Sequence, residues 1–193
     1  MISLNIFSKC PHMGNPKTRL KDFLTKDERT FITKYMLTNI LNEVSQLNDE
    51  VMITLWIYPN IDHPWLHELK AKYKFYLRKQ IGSTLFERMK NCLSFESSKH
   101  IQSILIGSDI PSLSKSIIMD AIHILSNKDI VIGPSLDGGF YLIGVNRLFK
   151  DTIDCTKPIN ILNLKKNITS QRKSIGLLRA LKDIDTPEDL LII

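Results

Sequence analysis

The chain has 193 residues, of which 43% are hydrophobic and 24% charged, and its formal net charge is +6. This length fits one domain with a sizeable core, so we predict a single domain over residues 1–193. This net charge permits nucleic-acid binding, and an anionic small substrate such as a nucleotide explains it equally well. Because the lysines and arginines are scattered rather than gathered in one block, we expect no nucleic-acid partner.

The three cysteines, Cys10, Cys92 and Cys155, are far apart and show no CxxC spacing. Their number and spacing argue against a disulfide framework or a zinc site and fit a reducing cytoplasm. No stretch approaches the roughly 18 consecutive apolar residues of a membrane span, and the first residues resemble a strand rather than a signal peptide. We therefore expect a cytoplasmic protein with no membrane partner. The composition does not specify an oligomeric state.

Strands and helices alternate along the chain. Segments rich in Ile, Val, Leu and aromatic residues predict strands over residues 4–8, 51–58, 74–79, 103–106, 130–132 and 140–145. Helical periodicity predicts helices from a cap at Asp27 to about residue 47, and over 83–93, 114–125 and 160–173. A late strand over 177–184 and a helix beginning at a Thr186 cap complete the pattern. This alternation predicts a three-layer α/β domain with a mostly parallel sheet.

The loop after the first strand, residues 9–20, carries two candidate phosphate ligands, Lys17 and Arg19. Phosphate-binding loops of open α/β sheets lie at the carboxyl ends of strands. Lysine would bind phosphate as a point charge and arginine as a fork, although the spacing is not that of a Walker loop. A solvated basic loop explains these residues equally well.

Two carboxylates are candidate metal ligands. Asp109 ends an apolar strand, where a lone carboxylate suits Mg²⁺ that also holds substrate phosphates. Asp185 precedes the last predicted helix and is a candidate second ligand. The alternative is that Asp109 caps a turn, and that residues 186–189 form only a capped helix start, which does not require Asp183 or Asp185.

Glycines mark two further loops. Residues 131–144 predict a strand, an Asp137-Gly138-Gly139 loop and a second strand. This loop is compatible with a ligand-binding loop or with a hairpin turn. Gly82 follows a strand and would allow a base or ribose to approach the backbone, whereas Glu87 and Arg88 are interpreted as solvent-facing or paired helix residues.

These segments, in this order, resemble a bacterial family of GT-A-like transferases, known as arsenosugar-biosynthesis-type glycosyltransferases and also as a domain of unknown function. The family pattern is KxPxPGxxKTRL, QxGxxLGERM, GSDxPxL, GPxxDGGYYLIG, WST and DVDTPEDL. Matching residues include Lys9, Pro11, Gly14, Lys17, Thr18, Arg19 and Leu20, then Gln80, Gly82, Leu85, Glu87, Arg88 and Met89, then Gly107, Ser108, Asp109, Pro111 and Leu113, then Gly133, Pro134, Asp137, Gly138, Gly139, Tyr141, Leu142, Ile143 and Gly144, and finally Asp183, Asp185, Thr186, Pro187, Glu188, Asp189 and Leu190.

The resemblance implies a Rossmann-like GT-A fold, the fold of nucleotide-diphospho-sugar transferases, and a relation to nucleotidyltransferases such as the molybdenum-cofactor guanylyltransferase. It implies Mg²⁺, or Mn²⁺, as cofactor, with a nucleotide or nucleotide-sugar donor and a small-molecule acceptor as partners. The implied roles are metal ligation by Asp109 and Asp185, donor binding by Lys9, Gly14, Lys17, Arg19, Gln80, Gly82 and Asp109, acceptor binding by Asp137, Gly138, Gly139 and Tyr141, and catalysis by Asp137, Lys17 and Arg19.

The chain departs from the family pattern at four places: Met13, Thr84, Phe86, and an Asp154-Cys155-Thr156 segment where the family has WST. Our first hypothesis is a Mg²⁺-dependent sugar transferase in which Asp137 orients or deprotonates an acceptor hydroxyl. The alternative is a nucleotidyltransferase that joins an NTP to a phosphorylated small molecule and releases pyrophosphate. A non-catalytic nucleotide-binding protein is the third hypothesis.

Overall fold

The computed structural model describes residues 1–12, 15–147 and 161–192, which form seven strands and five α-helices. The strands are β1 (Ile2–Lys9), β2 (Val51–Tyr58), β3 (Tyr76–Lys79), β4 (Gln102–Gly107), β5 (Ile130–Pro134), β6 (Phe140–Asn146) and β7 (Ile175–Leu177). The helices are α1 (Lys26–Val44), α2 (Pro64–Tyr73), α3 (Leu85–Ser97), α4 (Lys115–Leu125) and α5 (Ile161–Ser170). In the described part of the chain, no helix is long and apolar enough to cross a bilayer.

All seven strands form one sheet in the order β3-β2-β1-β4-β6-β5-β7. β6 pairs antiparallel with both β4 and β5, and the other neighbouring pairs are parallel. The carboxyl ends of β1 to β5 therefore meet at one edge of the sheet. The β5–β6 turn lies at the same edge, because β6 runs back from it.

Apolar side chains cover both faces of the sheet. On one face, Leu4 and Ile6 pack with buried residues of α1, α2 and α4. On the other face, Phe7 and Trp56 pack with buried residues of α3 and α5. The alternation of β1 residues between the two clusters follows from the two-residue period of a strand. The three-layer α/β architecture predicted from the sequence is confirmed.

The helix starts correct the sequence prediction in two places. α1 is capped by Thr25 rather than Asp27: the Thr25 hydroxyl accepts a hydrogen bond from the Glu28 N–H, and Glu28 bonds back to the Thr25 N–H. Asp27 lies in the first turn. α2 was not predicted; it begins with Pro64 in its first turn, after His63, whose Nδ1 accepts a hydrogen bond from the Trp65 N–H.

The end of the chain is less regular than the sequence predicted. β7 pairs with β5 only over Ile175–Leu177, and an isolated bridge joins Ser135 to Leu181. The predicted late strand over 177–184 is therefore wrong beyond its first residue. The predicted last helix is a 3₁₀ helix, Pro187–Ile192.

The two tryptophans of the chain occupy different environments. Trp56 is buried in the core under α3, where its Nε1 donates to Asn5 Oδ1 at 2.9 Å and its ring meets Phe95 edge-on. Trp65 is half-buried at the start of α2, with the Lys34 ammonium 5.1 Å from its ring centroid. The neighbouring His63 ring stacks on His12 of the first loop, with 3.9 Å between ring centroids.

Candidate functional site

A cavity of about 530 Å³ opens at the carboxyl edge of the sheet. Its walls are the loop after β1, the ends of β2 to β4, the start of α3, the β5–β6 turn and the segment before the last 3₁₀ helix. The predicted residues that line it are Lys9, Lys17, Arg19, Gln80, Asp109, Tyr141 and Asp185. Ligand sites of open α/β sheets occur at this edge.

Lys17 connects three parts of the chain at the floor of this cavity. Its Nζ donates to the Ile184 carbonyl oxygen at 2.6 Å and lies 3.0 Å from Asp109 Oδ1. The side chain is only 3% exposed, so this ammonium is held in place by its contacts. Asp109 is bound to the same segment through its backbone, since its carbonyl oxygen accepts from the Ile184 N–H.

Three carboxylates meet where the β5–β6 turn approaches the segment before the last 3₁₀ helix. Asp137, Asp183 and Asp185 each place an oxygen within 4.8 Å of the other two. Burial, followed by the negative charges of Asp137 and Asp185, raises the pKa of Asp183. We name Asp137, Asp183 and Asp185 the acidic cluster. Asp183 is a site residue that the sequence analysis matched to the family but gave no role.

Asp137 reaches the acidic cluster from the β5–β6 turn. The Ser135 hydroxyl and the Gly139 N–H both donate to Asp137 Oδ1, and these bonds, the Ser135 hydroxyl first, lower the pKa of Asp137. Gly138 has φ +90°, a conformation that favours glycine. The Asp-Gly-Gly segment is thus a hairpin turn, and the same turn carries a carboxylate to the acidic cluster, although residues 137–139 do not themselves line the cavity.

Arg19 joins the first loop to the acidic cluster. Its guanidinium forms an ion pair with Asp185, and the Arg19 side chain is 68% exposed. Asp185 is fixed from behind by the buried Asp189, whose Oδ2 accepts from the N–H groups of Asp185 and Thr186 at 2.9 and 2.6 Å. A hydrogen-bonded contact with Lys182 is the main cause of the lowered pKa of Asp189.

The other end of the cavity is built around Gln80, which is 6% exposed. Its Nε2 donates to the carbonyl oxygens of Ser8 and Trp56 at 3.1 and 2.9 Å. Because the amide nitrogen is used by two carbonyls, the amide oxygen is the group left to accept from a ligand. Among the described residues, none donates a hydrogen bond to this oxygen.

Arg88 also lines this end of the cavity. The sequence had suggested only a solvent-facing or paired helix residue at this position. The Arg88 guanidinium lies 4.0 Å from the ring centroid of Tyr58. Gly82, with φ +137°, lies against the start of α3, because a Cβ there would come within 2.8 Å of the backbone nitrogen of Arg88. The helical periodicity of α3 predicts that Arg88 lies on a helix. It does not predict the contact of Arg88 with Tyr58, because that contact depends on how the helix packs against the end of β2.

Tyr141 forms part of the wall below the β5–β6 turn. It is 3% exposed, and its hydroxyl donates to the Arg179 carbonyl oxygen at 3.1 Å. Burial raises the pKa of Tyr141 to about 12, so the hydroxyl remains protonated at neutral pH. The predicted Gly14 and the Asp154-Cys155-Thr156 segment lie outside the described residues.

Comparison with known proteins assigns the chain to a family. A family model described as "Uncharacterized protein conserved in bacteria (DUF2064)" matches residues 41–156. The chain belongs to this family. The arsenosugar type implied by the sequence resemblance remains a prediction for this DUF2064 chain.

Similarity to individual proteins extends over more of the chain. The 2-phospho-L-lactate guanylyltransferase of Methanocaldococcus jannaschii is 28% identical over 98% of this chain and 81% of that protein. A structure from Desulfovibrio desulfuricans G20, named only provisionally as a nucleotide-diphospho-sugar transferase, is 25% identical with a TM-score of 0.85, covering 99% of this chain and 85% of that one.

A more distant structure shares the fold alone. Glucosyl-3-phosphoglycerate synthase of Mycobacterium tuberculosis, in complex with Mn²⁺ and UDP, has a TM-score of 0.67 at 10% identity, covering 99% of this chain and 74% of that one. Together the comparisons confirm the nucleotide-diphospho-sugar transferase fold and identify this DUF2064 chain as a transferase.

Proposed function

We propose that the protein is a metal-dependent nucleotidyltransferase, which joins the nucleoside monophosphate of an NTP to a phosphorylated small molecule and releases pyrophosphate. One observation carries this proposal: a single cavity brings together the cationic first loop and two carboxylates of the acidic cluster, Asp183 and Asp185. The similarity to 2-phospho-L-lactate guanylyltransferases supports it over sugar transfer, our first hypothesis, and suggests GTP as the nucleotide.

The donor set of the acidic cluster fits Mg²⁺ or Mn²⁺, because these ions prefer carboxylate oxygens and commonly bind one or two carboxylates with water. Asp183 lies half-buried between two other negative charges, a repulsion that a divalent cation would relieve. We propose Asp183 and Asp185 as ligands, with Asp137 beside them. When bound, the cation would neutralise charge on the reacting phosphates.

Asp109 receives a different proposed role from the one that the sequence suggested. Its carboxylate pairs with the buried Lys17 ammonium rather than joining the acidic cluster. We propose that Asp109 fixes Lys17 at the floor of the cavity, where one N–H of the ammonium remains to bind the nucleotide phosphates. Lys9 and Arg19 supply further positive charge on this side.

The base of the nucleotide is proposed to lie between Gln80 and Arg88. The fixed Gln80 amide oxygen would accept from an N–H on the base, and guanine offers two such groups on one edge. The Arg88 guanidinium, stacked on Tyr58, would donate to a base oxygen. Gly82 keeps the backbone beside them without a side chain.

The proposed step is an in-line displacement at the α-phosphorus. A phosphate oxygen of the acceptor attacks the α-phosphorus of the NTP, a new P–O bond forms, and the bond to the β-phosphate breaks with its electron pair leaving on pyrophosphate. Lys17 and Arg19 would stabilise the negative charge that develops on the leaving group.

This step needs no general base, because a phosphate monoester is already ionised near neutral pH, its second pKa being about 6. Asp137 would therefore act as a metal neighbour and acceptor-orienting group, together with the backbone of Gly138 and Gly139 and the wall formed by Tyr141. The name of the relatives suggests a short phosphorylated hydroxy acid as the acceptor class.

The test is pyrophosphate release when the protein is mixed with Mg²⁺, each NTP and a panel of phosphorylated carboxylic acids. We expect release with GTP and one acceptor class. Asp183→Asn should lower the rate about 100-fold, whereas Asp22→Asn, which removes an exposed carboxylate outside the cavity, should not. Release of UDP or GDP from a nucleotide sugar, without pyrophosphate from any NTP, would replace this proposal by sugar transfer.

A further inference from the structure

Arg19 provides the cation that contacts the acidic cluster in this structure. Of the ion pairs among the described residues, the Arg19–Asp185 pair alone involves a member of that cluster. The two residues are 166 positions apart in the chain. The pair therefore connects the loop proposed to bind phosphate with the segment proposed to bind metal.

Arg19 and Lys17 are held very differently, although they are two residues apart. Lys17 is almost completely buried and contacts both Asp109 and the Ile184 carbonyl. Arg19 is 68% exposed, and Asp185 is 29% exposed. An ion pair this accessible to water is weak, so the guanidinium can leave Asp185 at low cost if another anion is offered.

We propose that Arg19 is a placeholder cation, which occupies Asp185 when metal and nucleotide are absent and moves to a nucleotide phosphate when they bind. The inference rests on the proposed function, since it assumes a metal at Asp185 and a phosphate in reach of the first loop. Arginine suits both partners, because its planar fork matches carboxylate and phosphate alike.

The consequence is a coupling between the two ligands. A metal ion that binds alone must displace Arg19 from Asp185 and leave the guanidinium without a partner. A nucleotide supplies that partner, so each ligand strengthens the binding of the other by the same factor. A variant without Arg19 loses two interactions: the guanidinium no longer competes with the metal for Asp185, and it no longer binds the nucleotide phosphate.

The experiment measures Mn²⁺ binding by calorimetry, with and without a GTP analogue that cannot release pyrophosphate. Without nucleotide, Arg19→Gln should bind Mn²⁺ about fivefold more tightly than the wild type, as expected for loss of one exposed competing charge. The same variant should bind the analogue more weakly, and the factor by which the analogue tightens Mn²⁺ binding should fall.

Lys21→Gln is the matched control, because Lys21 is an exposed cation two residues from Arg19 that does not line the cavity and makes no ion pair among the described residues. It should change Mn²⁺ affinity without nucleotide by less than about twofold. Equal effects of the two variants would show general charge repulsion and overturn the placeholder. If Arg19→Gln binds Mn²⁺ like the wild type, the placeholder is also wrong while the proposed function stands; absence of Mn²⁺ binding in every protein, with and without the analogue, would overturn both.

Discussion

At the scale of single residues, Gly82 shows how backbone conformation supports the cavity. Its φ of +137° lies in a region that residues with a side chain rarely adopt. A Cβ at this position would lie 2.8 Å from the backbone nitrogen of Arg88 and 2.9 Å from Glu87 Cβ, both in the first turn of α3. Two independent reasons therefore favour glycine at position 82: its backbone conformation and the lack of room for a Cβ.

Gly82→Ala should lower the free energy of unfolding by about 1–3 kcal/mol and weaken nucleotide binding, because the first turn of α3 must move and Arg88 moves with it. Gly107→Ala is the control for stability, since a Cβ there meets no atom of the protein within 4 Å. Urea unfolding of both variants and nucleotide titration of Gly82→Ala provide the measurement. Similar losses of stability in both variants, or unchanged nucleotide binding by Gly82→Ala, would contradict the argument from Arg88.

At the scale of elements, α1 and α3 begin in the same way. Each has a threonine cap and a glutamate three residues later that bonds back to the cap, Thr25 with Glu28 and Thr84 with Glu87. The two helices differ in what they carry, since the first turn of α3 presents Arg88 to the cavity.

Thr84→Ala and Thr25→Ala should each cost about 1 kcal/mol of stability, the usual cost of a lost N-cap. We expect only Thr84→Ala to weaken GTP binding, by about threefold, equivalent to roughly 0.7 kcal/mol, because fraying of α3 displaces Arg88. Chemical denaturation gives the first quantity and calorimetric titration the second. A matching loss of affinity in Thr25→Ala would mean that the effect is not local to α3.

Elements with strong local signals were predictable from the sequence. The apolar run at β2 and the periodicity of α4 were predicted close to their observed bounds, Val51–Tyr58 and Lys115–Leu125. α2 was missed although the sequence carries its signal, since Leu66, Leu69 and Tyr73 have the i, i+3, i+7 spacing of a helix and Pro64 lies in its first turn. The irregular chain after β7 could not be predicted, because its hydrogen bonds go to β5 rather than to neighbours in sequence.

At the scale of the whole molecule, the site is assembled from distant parts of the chain. Local spacing predicted that Lys17 lies in the loop after the first strand, that Asp109 ends a strand and that Asp185 precedes the last helix, and the family resemblance joined them in one site. Neither source predicted that Lys17 would pair with Asp109, or that Asp183 and Asp137 would meet. Those contacts depend on the register of the sheet and on the path of the last segment, which local sequence does not encode.

The interior also contains an acid that should make stability depend on pH. Glu96 is fully buried at the end of α3, and both carboxylate oxygens lack a hydrogen-bond partner, although His100 Nε2 lies 3.4 Å from one of them. Burial raises the pKa of Glu96 against the lowering effect of Arg78 and Lys99, and burial lowers the pKa of His100.

A raised carboxyl pKa means that the native state holds its proton at a pH where the unfolded chain has lost it. The contribution of Glu96 to the free energy of unfolding should therefore fall as pH rises from about 4, the ordinary glutamate range, whereas the lowered pKa of His100 contributes a rise up to about pH 6.5. Glu96→Gln removes this fall and should be more stable than the wild type by about 1 kcal/mol at pH 8, with little difference at pH 4. Urea unfolding across this range tests it, with exposed Glu68→Gln as control; parallel stability curves for wild type and Glu96→Gln would contradict the assignment.

The two tryptophans lie in different environments, so their fluorescence should report on different parts of the molecule. Trp56 is enclosed by the core, bonded to Asn5 and absent from the lining of the cavity. Trp65 lies beside Lys34 and next to the His12–His63 stack, so its emission responds to movements of the first loop. Replacing Trp56 by phenylalanine would leave Trp65 as the single tryptophan, a fluorescent reporter beside the first loop.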